Sequence, residues 1–291
     1  MSDGGTVSLD WYPNRDIGWS SEPIAIVMAG VGGSSYEYHV RCLVKRLADT
    51  GEFRVVVMNH RGLGRTPLTS PKLYNGVDTD DFRDTLIHIH ETYPQAVLVG
   101  VALSMGAMLL TKYMGNERRP LLSGAVVISC PFDMTLTGQM LDKDTLIFNK
   151  FVRPTAVASQ LRLIKRNWDM IKSLGLDMDA IMSAKRLSEL DTLVTAKTLG
   201  FKDCWEAYAA GSTTQYVDRI RAPFLVINAA DDPVVPAQGL PLDRIESNPY
   251  TAVALVKHGG HLGFFTGVVP RIWYLTPVVE FLQAVVSGSD D

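Results

Sequence analysis

Six short apolar runs, rich in β-branched residues, punctuate this chain, and longer amphipathic stretches separate them. The runs are Ile24–Ala29, Phe53–Met58, Ala96–Val101, Gly124–Ser129, Phe224–Asn228 and Thr251–Lys257. A short unbroken apolar run is the pattern of a strand covered on both faces, whereas a strand with one wet face alternates. Between the runs, the spacing predicts helices at Tyr36–Asp49, Thr79–Thr92, Met105–Met114, Pro241–Glu246 and Pro270–Val286. Alternation of this kind implies an α/β fold: a mainly parallel sheet with helices on both faces, because parallel strands need crossover connections. Val7–Tyr12 alternates instead, and is expected to form an antiparallel edge hairpin with the residues that follow it.

The rhythm lapses between Asp133 and about Val217. There, Leu, Met and Lys recur at helical spacing, for example over Gln160–Ser173 and Asp177–Leu187. A helical insertion at 133–217, late in a parallel sheet, is the expected form of a lid over a site; a packing subdomain without gating is the blander alternative. Its apolar residues include Met134, Leu136, Met140, Leu141, Ile147, Phe148, Phe151, Met170, Met178, Ile181 and Met182, and some are expected to line an apolar approach to that site. No repeat or low-complexity linker divides the chain, so residues 1–291 read as a single domain.

Composition closes off several functions. A hydrophobic fraction of 46% with 20% charged residues suits a globular protein with a large core. The net charge of −3, with no block of like charges, argues against a nucleic-acid partner. Cys42, Cys130 and Cys204 are odd in number and far apart, which suits reduced thiols rather than a disulfide frame or a zinc site. Met1–Tyr12 lacks a basic-then-apolar signal, and Ala96–Leu110 is too short for a transmembrane segment. The expectation is a cytoplasmic protein, membrane-associated if a native anchor has been removed. No metal or cofactor is expected, and nothing in the sequence sets an oligomeric state.

Four local signals carry chemistry. Ala102-Leu103-Ser104-Met105-Gly106 follows a predicted strand and opens a predicted helix. That is the setting of a nucleophile elbow, although Ala102 stands where the G-x-S-x-G pattern has its first glycine. A serine capping an ordinary helix is the competing reading. Ala29-Gly30-Val31-Gly32-Gly33-Ser34-Ser35 follows the strand from Ile24 and can turn backbone N–H groups inward. The N–H groups of Val31 and Met105 are therefore the candidate oxyanion donors. The loop fits neither G-x-G-x-x-G nor G-x-x-x-x-G-K-[ST], so nucleotide binding is disfavoured. Asp231-Asp232-Pro233 follows the strand from Phe224, and Asp232 is favoured over Asp231 as the acid that orients a histidine. His258-Gly259-Gly260-His261 follows the last strand, and its glycines let His261 swing over the sheet. His258, at the strand end, is read as structural, and His88 with His90 as poor metal ligands. Arg61 or His60 could touch an anionic substrate group, but a brace that pins the loop is the favoured reading of Arg61. The chain order Ser104, Asp232, His261 is that of an α/β-hydrolase triad, each member at the carboxyl end of a different strand.

With these motifs, the chain resembles the eukaryotic α/β-hydrolase-domain family of medium-chain phospholipases and esterases. Bacterial hydrolases, plant relatives and the yeast medium-chain acyl-CoA:ethanol acyltransferases share its pattern. The resemblance rests on Asp3-Gly4-Gly5 through Asp10-Trp11, Gly30 through Ser35, Asn59-His60-Arg61-Gly62, Leu103 through Gly106, and His258 through Phe264. The 133–217 insertion matches in outline at Phe201-Lys202-Asp203 through Tyr208. It implies an α/β-hydrolase fold and a serine esterase acting on a small-molecule acyl ester or thioester, with Ser104, Asp232 and His261 as the catalytic residues. An acyltransferase that passes the same acyl-enzyme to an alcohol or an internal hydroxyl is the main alternative. A non-catalytic receptor or scaffold on this fold is disfavoured, since all three triad members are present.

Overall fold

The computed structural model describes residues 1–13, 21–145 and 152–288. Seven strands form one sheet in the order β1-β3-β2-β4-β5-β6-β7. They are β1 (Ser8–Tyr12), β2 (Ile24–Met28), β3 (Arg54–Asn59), β4 (Leu98–Leu103), β5 (Leu122–Ile128), β6 (Phe224–Ala229) and β7 (Thr251–Val256). Every neighbouring pair is parallel except β1 with β3. Strands β2, β3 and β4 are buried along their whole length, as their unbroken apolar composition requires. Helices α1 (Tyr38–Ala48) and α2 (Asp80–Thr92) connect them, and α3 (Met105–Asn116) leads from β4 to β5. One hydrophobic cluster, including Phe82, Leu86, Met108 and Tyr113, fills one side of the sheet; Leu43, Leu47, Val278 and Leu282 belong to a second cluster built on the alternate strand residues. The two clusters share no residue because successive side chains of a strand point to opposite faces.

The order of the strands locates the site. From β2 the chain moves to β3 on one side, then returns to β4 on the other. The carboxyl ends of β2 and β4 therefore flank the switch point, where loops diverge and leave a crevice above the sheet.

Several sequence expectations need correction. The edge strand β1 pairs with β3, not with the residues after it, because β3 lies outside β2 in the sheet. Strand β4 begins at Leu98, two residues later than the apolar run. Strand β7 is only half-buried, since it forms the far edge with one neighbour, β6. The last helix starts at Leu275, not Pro270: Arg271–Ile272 (β9) pairs with Phe265–Thr266 (β8) in a small hairpin.

The 133–217 segment contains helices and no strand among its described residues. These are α4 (Met134–Asp142), α5 (Arg153–Arg166), α6 (Trp168–Lys172), α7 (Met178–Ser183), α8 (Leu187–Asp191), a π turn (Thr192–Ala196), α9 (Lys197–Leu199), α10 (Cys204–Gly211) and the start of a 3₁₀ turn (Thr214–Arg219). The single helix expected over Gln160–Ser173 is broken at Asn167, and that expected over Asp177–Leu187 ends at Ser183. The insertion has a small core of its own around Val157, Ile164, Ile171 and Ile181. Helices α11 (Leu242–Ser247) and α12 (Leu275–Ser287) complete the chain. All three cysteines are free. No described helix is long and apolar enough to cross a membrane.

Candidate active site

Ser104 occupies the tight turn between β4 and α3, with φ 52° and ψ −121°. That conformation is strained for a non-glycine residue, and small neighbours make room for it. A Cβ on Gly106 would lie 2.4 Å from the Ala29 carbonyl oxygen, and a Cβ on Gly30 would lie 2.9 Å from the Ser104 Cβ. Ala102 is fully buried against the neighbouring strand, so alanine suffices where the pattern has glycine. The turn lifts the Ser104 hydroxyl into the crevice at the amino end of α3.

The turn after β7 delivers the histidine. His261 Nε2 lies 3.1 Å from Ser104 Oγ, and His261 Nδ1 lies 2.9 Å from Asp232 Oδ2. The Asp232 side chain is fully buried, and its other oxygen accepts the N–H groups of Val234 (2.8 Å) and Val235 (2.9 Å). The three side chains, spread from position 104 to 261, thus form one hydrogen-bonded line.

Asp231 plays a different part. Its Oδ1 accepts the N–H groups of Gly259 (2.8 Å) and Gly260 (2.9 Å), and Oδ2 faces His258 Nδ1 at 3.3 Å. These bonds, which hold its carboxyl below the usual carboxylate range, pin the turn that carries His261. Ser129 also touches this turn. It has φ 50° at the end of β5, and its hydroxyl accepts the Leu262 N–H at 3.4 Å. Neither contact was legible in the sequence, where Ser129 looks like one more strand residue.

Val31, Ser104 and Met105 border a cleft that opens to solvent. Its walls carry Met108, Met134, Leu141, Leu187, Val234 and Val235. Met134 and Leu141 are thus the nominated lid residues that reach it. Ile181 and Met178 pack in or against the insertion's own core instead, and Ile147, Phe148 and Phe151 lie outside the described residues. A second opening, on the other side of Ser104, is bordered by Gly32, Glu37, His39, Ser159 and His261. Burial and the nearby His261 push His39 below the ordinary histidine range.

Arg61 is a brace. Its guanidinium is buried and bonds Asp3 (Nη1 2.5 Å, Nη2 2.8 Å), Asp81 (Nε 2.5 Å, Nη2 2.6 Å) and Ser70. It ties the amino terminus to α2 and borders neither opening at Ser104. His60 is buried and stacked on Tyr74 at 3.7 Å, and burial pushes it down to about 3, so it is neutral. His88 and His90 lie exposed on α2 and border neither opening at Ser104.

The model of the alpha/beta hydrolase fold family matches residues 24–268. The chain belongs to this family. It is 30% identical over 295 residues to phospholipase ABHD3 of Mus musculus, covering 98% of this chain and 70% of that one. It is 33% identical over 264 residues to medium-chain fatty acid ethyl ester synthase/esterase 2 of Saccharomyces cerevisiae, covering 83% of this chain and 58% of that one. Among solved structures, Est1E from Butyrivibrio proteoclasticus superposes with a TM-score of 0.62 at 12% identity, covering 97% and 95% of the two chains. At that identity the likeness speaks for the fold alone. The family and its curated relatives make this α/β hydrolase an enzyme of the esterase and lipase kind.

Proposed function

We propose that this enzyme cleaves carboxylic esters, with medium-length acyl chains preferred, through a covalent acyl-enzyme on Ser104. The observation that carries the reading is the hydrogen-bonded line from Asp232 through His261 to Ser104. His261 Nε2 takes the Ser104 proton as Oγ attacks the ester carbonyl carbon. The tetrahedral oxyanion is held by the N–H groups of Met105, at the positive end of α3, and of Val31. As the intermediate collapses, His261 returns the proton to the departing alkoxide. Water then repeats the sequence and releases the acid. Asp232 holds the imidazole tautomer and balances the charge that the ring gains.

The two openings divide the substrate. The leaving group must meet the histidine that protonates it, which places the alcohol in the opening bordered by His261. The acyl chain then occupies the more apolar cleft under the 133–217 insertion, which acts as the lid. Acyl transfer to an alcohol uses the same intermediate, and the yeast relative's name couples synthase with esterase. The balance is set by whether water or alcohol reaches the acyl-enzyme.

The test is labelling with a fluorophosphonate, together with hydrolysis of 4-nitrophenyl octanoate. Wild-type protein should label and turn over, and Ser104→Ala should do neither while keeping its melting temperature within a few degrees. Retention of more than a few per cent of activity by the variant would refute the assignment.

A further inference from the structure

The acyl cleft is apolar around Ser104, yet its lid wall carries a polar cluster that the proposed mechanism does not use. Asp191 closes α8 and borders the cleft together with Thr195, Tyr208 and Thr137. Tyr208 Oη donates to Asp191 Oδ2 at 2.5 Å, and Thr195 Oγ1 donates to Oδ1 at 2.9 Å. The backbone at this point leaves the α-helix for the π turn Thr192–Ala196. Such turns are rare and recur at functional sites. The Tyr208 ring lies directly on α4, where a Cβ on Gly138 would come within 2.5 Å of it. Beside that glycine stands Thr137, 3% exposed, whose buried Oγ1 has no hydrogen-bond partner among the described residues.

A carboxylate facing an apolar cleft is unfavourable unless something bonds to it. Burial pushes the Asp191 carboxyl up, against the opposing pull of Tyr208 and Thr195. Each of its oxygens takes one side-chain donor and keeps a free lone-pair position. The Thr137 hydroxyl can donate as well as accept. A substrate hydroxyl suits both groups that border the cleft, since it can donate to the carboxylate and accept from the threonine. Charged substrate groups fit worse: a carboxylate would face Asp191, and an ammonium would leave Thr137 without a donor role.

We propose that Asp191 and Thr137 form a hydroxyl-recognition subsite on the lid wall, and that the preferred acyl chain is oxygenated, carrying a hydroxyl some carbons from the ester. The acyl side is favoured because His261 borders the other opening, not this branch. This assignment rests on the triad reading and on the division of the cleft given above. A simple brace between α8 and α10 accounts for the Asp191–Tyr208 bond but gives Thr137 no task.

The experiment compares kcat/KM for ethyl octanoate with a set of ethyl hydroxyoctanoates differing in hydroxyl position. A second pair, monooctanoylglycerol against propyl octanoate, places the hydroxyls on the alcohol. The wild-type enzyme should favour at least one hydroxyoctanoate about tenfold or more. Asp191→Asn and Thr137→Val should each pull that ratio toward one. Thr137→Val is the decisive variant: it replaces an unpartnered hydroxyl by a methyl group, so its melting temperature should hold or rise, and a brace predicts no change in the ratio. A preference confined to the glycerol ester would overturn the acyl-side placement. Turnover of octanoates with no preference in either pair would overturn the subsite and leave the triad reading standing. No turnover of any ester would refute the triad reading itself.

Discussion

Asp232→Asn tests the chemistry most sharply, because the structure dictates how the amide must sit. Asp232 Oδ1 accepts two backbone N–H groups, from Val234 at 2.8 Å and Val235 at 2.9 Å. An amide nitrogen placed there would set its own hydrogens against those donors. The asparagine oxygen therefore stays with the backbone, and the amide NH₂ takes the place of Oδ2, 2.9 Å from His261 Nδ1. A donor at that position forces Nδ1 to accept, so the imidazole proton moves to Nε2 and points at Ser104. In that tautomer His261 cannot remove the serine proton. The same swap in serine-protease triads lowers kcat about 10⁴-fold, or about 5.4 kcal/mol of barrier at 1.36 kcal/mol per tenfold. Steady-state kinetics on 4-nitrophenyl octanoate should give that loss in kcat with KM changed only a few-fold. Asp231→Asn is the control: its oxygen can still accept the Gly259 and Gly260 N–H groups, so it should lose less than about tenfold. A loss under tenfold for Asp232→Asn, or a larger loss at Asp231, would show that the acid has been misassigned.

Three further outcomes follow from the same geometry. A chain-length series on one leaving group, run below micellar concentrations, should peak at medium acyl length; each buried methylene contributes up to about 0.8 kcal/mol, so four carbons beyond acetyl raise kcat/KM by up to about two orders of magnitude. A maximum at acetyl would mean that the insertion closes the cleft. Gly106→Ala brings a Cβ to 2.4 Å from the Ala29 carbonyl oxygen, so thermal melts should show about 1–3 kcal/mol of destabilisation and kcat should fall as the Gly30–Val31 loop shifts; an unchanged melt would refute the packing argument. The Arg61 guanidinium beside Asp3 holds that carboxyl well below its ordinary value of 3.8. A depressed carboxyl gives stability that is present above its unfolded value and is lost as pH falls through the folded one. Thermal melts of wild type should therefore drop faster below about pH 4 than those of Asp3→Asn, by a small margin since Asp3 is partly exposed; parallel curves would dismiss the pair as a source of acid sensitivity.

The sequence determined the parts whose signals are local. Unbroken apolar runs named six of the seven strands; burial on both faces leaves no polar alternation, and of the six only β7, at the far edge, is half-buried. The small residues Ala102 and Gly106, two before and two after Ser104, marked the turn where β4 and α3 approach closely, and a Cβ on Gly106 would meet the Ala29 carbonyl oxygen. The order Ser104, Asp232, His261 told which residues to bring together, and the double aspartate told that one would be an acid. What the sequence could not fix was anything carried by contacts between distant segments. The pairing of β1 with β3 depends on which strand ends up at the edge. A local exception is the hairpin at Phe265–Ile272, where Arg271–Ile272 pair back onto Phe265–Thr266 and delay the expected helix to Leu275. The separate tasks of Asp231 and Asp232 are set by neighbours: one faces the backbone of a turn, the other faces His261. Asp191, Thr195 and Tyr208 looked like unremarkable lid residues until the fold turned them, with Thr137, onto one wall of the cleft. A side chain's apolar or polar character travels with the chain, but its partner does not. Local packing rules can be read residue by residue; the meeting of groups far apart in sequence is decided only when the whole sheet closes its layers around them.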